Sequence, residues 1–188
     1  MRLTRGLTAA AASLALLAAA CGGSGGGGSD ASDAATGQTQ LAHASAPIGP
    51  GKAAREVCEP MIRQAVEYEV GTPLDGTPER AVDGDTFSCT YRVGGGTIAM
   101  HVLDLKQRPA AKTSFAGLRT AAGPDVEQLP GLGDGAFVQP DGTLVVRKDA
   151  MVLTIDMTGL PAPVDGRDKS TIATNLGVAV MGCWTGRG

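Results

Sequence analysis

From Thr86 to Val93 apolar and polar side chains alternate without a break. Phe87, Cys89, Tyr91 and Val93 fall on one side, Thr86, Ser88, Thr90 and Arg92 on the other, the period of a strand with one buried face. Gly94-Gly95-Gly96 follows as a hairpin turn, because glycine takes positive φ at little steric cost. Residues 97–103 return with Ile98, Met100 and Val102 on one face and His101 on the other. Further on, residues 136–139, 143–147 and 151–157 read as a three-stranded meander, with Pro140-Asp141-Gly142 and Lys148-Asp149-Ala150 as its turns. In its last strand Met151, Leu153, Ile155 and Met157 oppose Val152, Thr154 and Asp156.

Three segments carry helical spacing instead. Residues 55–68 line up Val57, Met61, Ile62, Ala65 and Val66, and Gly71-Thr72-Pro73 ends the run. Asp75-Gly76-Thr77-Pro78 then predicts an irregular stretch. Residues 109–121 open on a proline suited to a first turn and space Ala111, Phe115, Leu118 and Ala122 as a core-facing stripe. Residues 169–184 do the same with Ile172, Leu176, Val180 and Cys183. Helices mixed with antiparallel hairpins predict a single α+β domain over residues 55–188: an antiparallel sheet of about five strands with helices covering one face. Thr90, Arg92 and His101 would then lie on a wet opposite face.

The N-terminus changes the picture of where this domain works. Arg2 and Arg5 precede an uncharged run from Leu7 to Ala20, the pattern of a secretion signal over residues 1–20. That run is shorter than the roughly 20 residues a membrane-crossing helix needs. It ends Leu17-Ala18-Ala19-Ala20-Cys21, which resembles a bacterial lipobox, although Ala18 stands where leucine is commonest. The resemblance implies acylation of the Cys21 thiol, palmitate among the attached chains, and cleavage before it. Residues 21–54, headed by Gly22-Gly23-Ser24-Gly25-Gly26-Gly27-Gly28-Ser29, are expected to be a disordered tether. As a Gly/Ser-type coil of about 33 residues, it would reach on the order of 30 Å. His43 in this stretch is expected to be an ordinary solvated side chain.

Losing residues 1–20 would remove Arg2 and Arg5, leaving 14 basic against 19 acidic residues. A basic footprint for nucleic acid is therefore lacking, and lipid on Cys21 is the expected contact with the bilayer. The expected location is extracytoplasmic, on the outer face of the cell membrane.

Cys58 in the first helix, the Cys89-Thr90-Tyr91 strand, Leu129-Pro130-Gly131-Leu132-Gly133-Asp134-Gly135-Ala136-Phe137 and the strand Gly142-Thr143-Leu144-Val145-Val146-Arg147 come in a characteristic order. In this the chain resembles small actinobacterial lipoproteins of uncharacterised function. More distantly it is similar to extracellular sensor domains of receptor kinases from the same bacteria. The resemblance implies a fold and a compartment, and it brings no catalytic residues with it.

Motifs for chemistry are sparse. Gly131-Leu132-Gly133-Asp134-Gly135 has glycines at dinucleotide-like spacing, but a strand follows where a phosphate-binding loop needs a helix. Gly94-Gly95-Gly96-Thr97 lacks the lysine and spacing of a P-loop. Three or four converging ligands make a metal site, and His101 is the one histidine of residues 55–188. A Ser-His-Asp site would have to recruit His101, with no Gly-x-Ser-x-Gly elbow to hold the nucleophile. The pairs Asp83/Asp85 and Asp165/Asp168, and Asp134, sit in glycine-containing stretches where aspartate serves turns and caps. Catalytic residues, metal and cofactor are accordingly all expected to be none. The expected function is a non-enzymatic binding or sensor module for an envelope ligand or protein. The alternative is an envelope hydrolase, or an enzyme's accessory subunit, with an unrecognised site.

Export would put Cys58, Cys89 and Cys183 where disulfides persist, with one thiol left over. In the chain-entropy model a Cys58–Cys89 bridge contributes roughly 3.7 kcal/mol and a Cys58–Cys183 bridge about 4.9, too close to decide. Cys89 faces the covering helix on which Cys58 lies, while Cys183 belongs to the apolar stripe of the last helix. Local geometry, together with the pairing implied by the family resemblance, makes Cys58–Cys89 the expectation.

Overall fold

The computed structural model describes residues 49–161, 164 and 166–185. Its centre is a seven-stranded antiparallel sheet: β1 (Glu79–Asp83), β2 (Thr86–Val93), β3 (Gly96–Asp104), β4 (Glu127–Gln128), β5 (Gly135–Val138), β6 (Leu144–Lys148) and β7 (Met151–Asp156). The strand order is β1-β2-β3-β7-β6-β5-β4. The helices are α1 (Lys52–Arg55), α2 (Pro60–Val70), α3 (Arg108–Ala122) and α4 (Lys169–Thr185), with a 3-10 turn at Glu56–Cys58. The α+β class and the alternating strands stand as expected, but the sheet has seven strands where about five were read. Both unforeseen strands are edges. All of β1 is exposed, so there was no buried face for alternation to mark, and β4 is two residues long.

The first helix is also shorter than the spacing suggested. Glu59 is extended, with φ −79° and ψ 158°, and Pro60 opens α2. A residue before proline is pushed out of the helical region by the pyrrolidine ring, so the expected helix over 55–68 breaks there. Val57 and Cys58 fall in the 3-10 turn ahead of the break. Packing begins before Arg55: Ala54 is fully buried, the Trp184 indole N–H donates to the Ala53 carbonyl at 3.0 Å, and the Gly51 N–H donates to Asp104 at 2.9 Å. The last residues assigned to the tether thus belong to the packed unit.

Glycines at two places hold the architecture together. Gly94 and Gly95 both have positive φ, 54° and 80°. They make a two-residue turn that pairs Val93 with Gly96 and matches the strands' twist. Gly177 lets α4 lie directly on β6, since a Cβ there would sit 2.5 Å from the Leu144 side chain. The main core fills the gap between α2, α4 and one sheet face, with Tyr91, Ile98, Met100, Leu153, Ile155, Ile172 and Leu176 all fully buried. Each such aliphatic side chain contributes roughly 1.5–3 kcal/mol by leaving water. Tyr91 also donates its phenol hydrogen to the Val57 carbonyl at 2.6 Å, and burial pushes its pKa above the usual phenol range. Tyr91→Phe should therefore cost about 1–3 kcal/mol, because the Val57 carbonyl loses its donor in a dry site. Urea unfolding of the two proteins measures the difference.

A single covered face was expected, and the structure corrects this. α3 packs on the other side of the sheet, where Ala111 and Phe115 meet Leu103, Phe137, Val145 and Val152. Those four strand residues alternate outward from the main core. Their apolar character makes sense once α3 covers them.

Candidate functional site

The expected lipidation residue Cys21, the signal segment and His43 lie outside the described residues. The expected disulfide is present. Cys58 and Cys89 are bridged across 31 residues with Cα atoms 5.5 Å apart, tying the turn before α2 to the middle of β2. Cys183 stays outside the bridge, buried near the end of α4, with Sγ 3.6 Å from the Met61 sulfur.

α3 lies against the β5-β6-β7 side of the second sheet face, and the β1-β2-β3 side carries polar residues. Strand register there places Ala81 beside Ser88, Ser88 beside His101, and His101 beside Thr154. Ser88 Oγ and His101 Nδ1 are 2.8 Å apart. Further along the same face, Arg92 forms an exposed ion pair with Glu79. A serine hydrogen-bonded to a histidine is the beginning of a nucleophilic dyad, but a triad also needs a carboxylate that orients the ring. The nearest register offers Asp156, which sits opposite Ala99. Its Oδ1 instead accepts the Thr158 N–H at 2.8 Å and the Thr158 hydroxyl at 2.7 Å.

The other carboxylates serve the fold. Asp168 caps α4, accepting the Ser170 hydroxyl at 2.5 Å and the Thr171 N–H at 2.8 Å; these bonds, the Ser170 hydroxyl first, hold its carboxyl below the usual range. Asp134 accepts the Asp149 N–H at 2.7 Å and pairs with Arg147, fastening the glycine-rich loop to the β6-β7 turn. Burial pushes the Asp134 carboxyl up, and the Asp149 N–H with Lys148, Arg147 and Arg108 outweighs it, so the pKa is lowered. Asp83 ends β1 and Asp165 is outside the described residues. No group of three or more His, Cys, Asp or Glu among the described residues is placed to hold a metal.

The chain matches no family model, no curated protein and no solved structure.

A second feature was not foreseen from the sequence. Beside α3 runs a groove of about 630 Å³, lined among others by Lys112, Phe115, Ala116, Arg119, Val126 and Arg147. Its floor is apolar. Phe115 lies against Phe137 with ring centroids 5.4 Å apart, and Val126 packs on the same cluster. The signal was present in the helical spacing of Arg108, Lys112 and Arg119 without an intervening acid. With all helices assigned to one sheet face, nothing gave that stripe a neighbour.

Proposed function

We propose that the chain is a lipid-anchored extracytoplasmic binding or sensor module of the cell envelope, acting without catalysis. The anchor is the acylated Cys21, the bilayer its first partner, and an envelope ligand or protein its second. The lipobox-like sequence and the likeness to small actinobacterial lipoproteins and receptor-kinase sensor domains support the address. One observation carries the activity: α3 covers the β5-β6-β7 side of the second sheet face, while Glu79 and Arg92 are exposed and Ser88, Thr90 and His101 half-buried on the β1-β2-β3 side. Paired strands present these groups as a fixed array of hydroxyls, imidazole and an ion pair, which suits recognition of a polar surface.

The Ser88–His101 contact favours the second reading, an envelope hydrolase or an enzyme's accessory subunit. Turnover of chromogenic esters separates the two. The binding reading expects none from the full chain. It also expects the exposed Arg92→Ala to change stability by no more than about 1 kcal/mol. Ester turnover that His101→Ala abolishes would overturn it.

A further inference from the structure

We propose that the groove beside α3 binds a single anionic amphiphile, with its carboxylate or phosphate held by Lys112 and Arg119 and its apolar chain laid over Phe115 and Val126. The charge pattern comes first. The chain has 19 acidic and 16 basic residues, yet the charged residues of α3 are Arg108, Lys112 and Arg119, with no acid. At 3.6 residues per turn these three fall within about 40° of one another around the helix axis, beside the flank that packs on the sheet.

Two cations of this region are already matched. Arg108 pairs with Asp149 at 2.5 Å, and Arg147 donates to the Asp134 carbonyl at 2.6 Å. Lys112 and Arg119 have no ion-pair partner among the described residues. They stand about 10 Å apart along the helix, a gap that two long side chains reaching inward can close on one anion.

Apolar surface at the same place restricts the ligand further. Phe115 and Val126 are only partly buried, and both line the recess between α3 and the loop that follows it. A free inorganic anion would leave them wet, whereas an amphiphile covers them and neutralises the cations together. The volume lies within the roughly 300–1,000 Å³ of small-molecule sites. A recess between a helix and a loop admits one molecule better than a bilayer surface, so the occupant is a monomeric amphiphile.

This inference rests on the binding-module reading, and its test separates the two. The full chain is titrated with sodium decanoate below its micelle concentration and, separately, with decanol and with anionic phosphatidylglycerol vesicles. Saturable decanoate binding is expected, with decanol weaker by at least about tenfold. The doubly substituted Lys112→Glu, Arg119→Glu chain, with unchanged circular dichroism, should lose decanoate binding by a similar factor or more, while Lys52→Glu should not. The proposal is overturned by any of three results: no saturable binding, equal binding to the doubly substituted chain, or binding to vesicles without binding to decanoate. Each removes the groove assignment and leaves the sheet face to carry the module reading. Only ester turnover lost with His101→Ala removes that reading itself.

Discussion

Replacing Cys58 and Cys89 together by alanine should lower the unfolding free energy by about 3.7 kcal/mol, the largest loss of stability expected from any change considered for this domain. The bridge spans 31 residues, and a crosslink of that length removes much of the freedom of the unfolded chain. It also joins a short 3-10 turn, broken from α2 by Pro60, to a central stretch of β2, beside the Tyr91 hydrogen bond to the Val57 carbonyl. Cys58 and Cys89 are themselves buried, so alanine in their place adds a small loss of packing. A domain of this size has typically 5–15 kcal/mol in all, and a loss of this order is a large part of it. Urea unfolding of the oxidised chain and the doubly substituted chain measures the difference. The urea dependence should steepen in the latter, because an uncrosslinked unfolded state exposes more surface. A loss below about 1 kcal/mol would mean that the bridge contributes little to stability. Cys183→Ala serves as the control and should leave the Cys58–Cys89 peptide intact on non-reducing mapping.

How much of this was legible in the sequence depends on whether a residue's role is set by its neighbours in the chain or by its neighbours in space. β2 and β3 each bury one face, and their alternation reads directly. β1 is exposed throughout, so its sequence Glu79-Arg80-Ala81-Val82-Asp83 carries no such mark. Pro60 was a local signal that helical spacing on both sides of it concealed. The second sheet face was misread for a different reason: Leu103, Val145 and Val152 look like tolerated apolar residues on a wet face until α3 is placed over them.

The candidate sites divide the same way. His101 and Ser88 were both assigned to the polar face, but their meeting depends on register. A turn using Gly94, Gly95 and Gly96 would slip the hairpin by one residue, whereas the observed two-residue turn sets Ser88 opposite His101. The groove needed α3 on the correct side of the sheet before Lys112 and Arg119 could be seen to flank anything. The Cys58–Cys89 expectation drew on Cys89's place on a well-read strand facing the helix assigned to Cys58, together with the pairing that the family resemblance implies.

The claim on which the functional reading hangs is that this domain works from a lipid anchor at Cys21, and replacing that thiol should have an all-or-none effect. No helix among the described residues is long and apolar enough to cross a membrane. A diacylated cysteine supplies the two chains that stable attachment requires, at about 0.8 kcal/mol for each buried methylene. Serine keeps the size of the side chain and removes the sulfur proposed to accept the lipid. Cells producing either protein are labelled with a fatty-acid probe, fractionated, and the chain recovered. A lipid anchor at Cys21 predicts probe on the wild-type chain in the membrane fraction, and an unlabelled Cys21→Ser chain outside it. Label persisting on the Cys21→Ser chain, or a wild-type chain that takes up none, would contradict it.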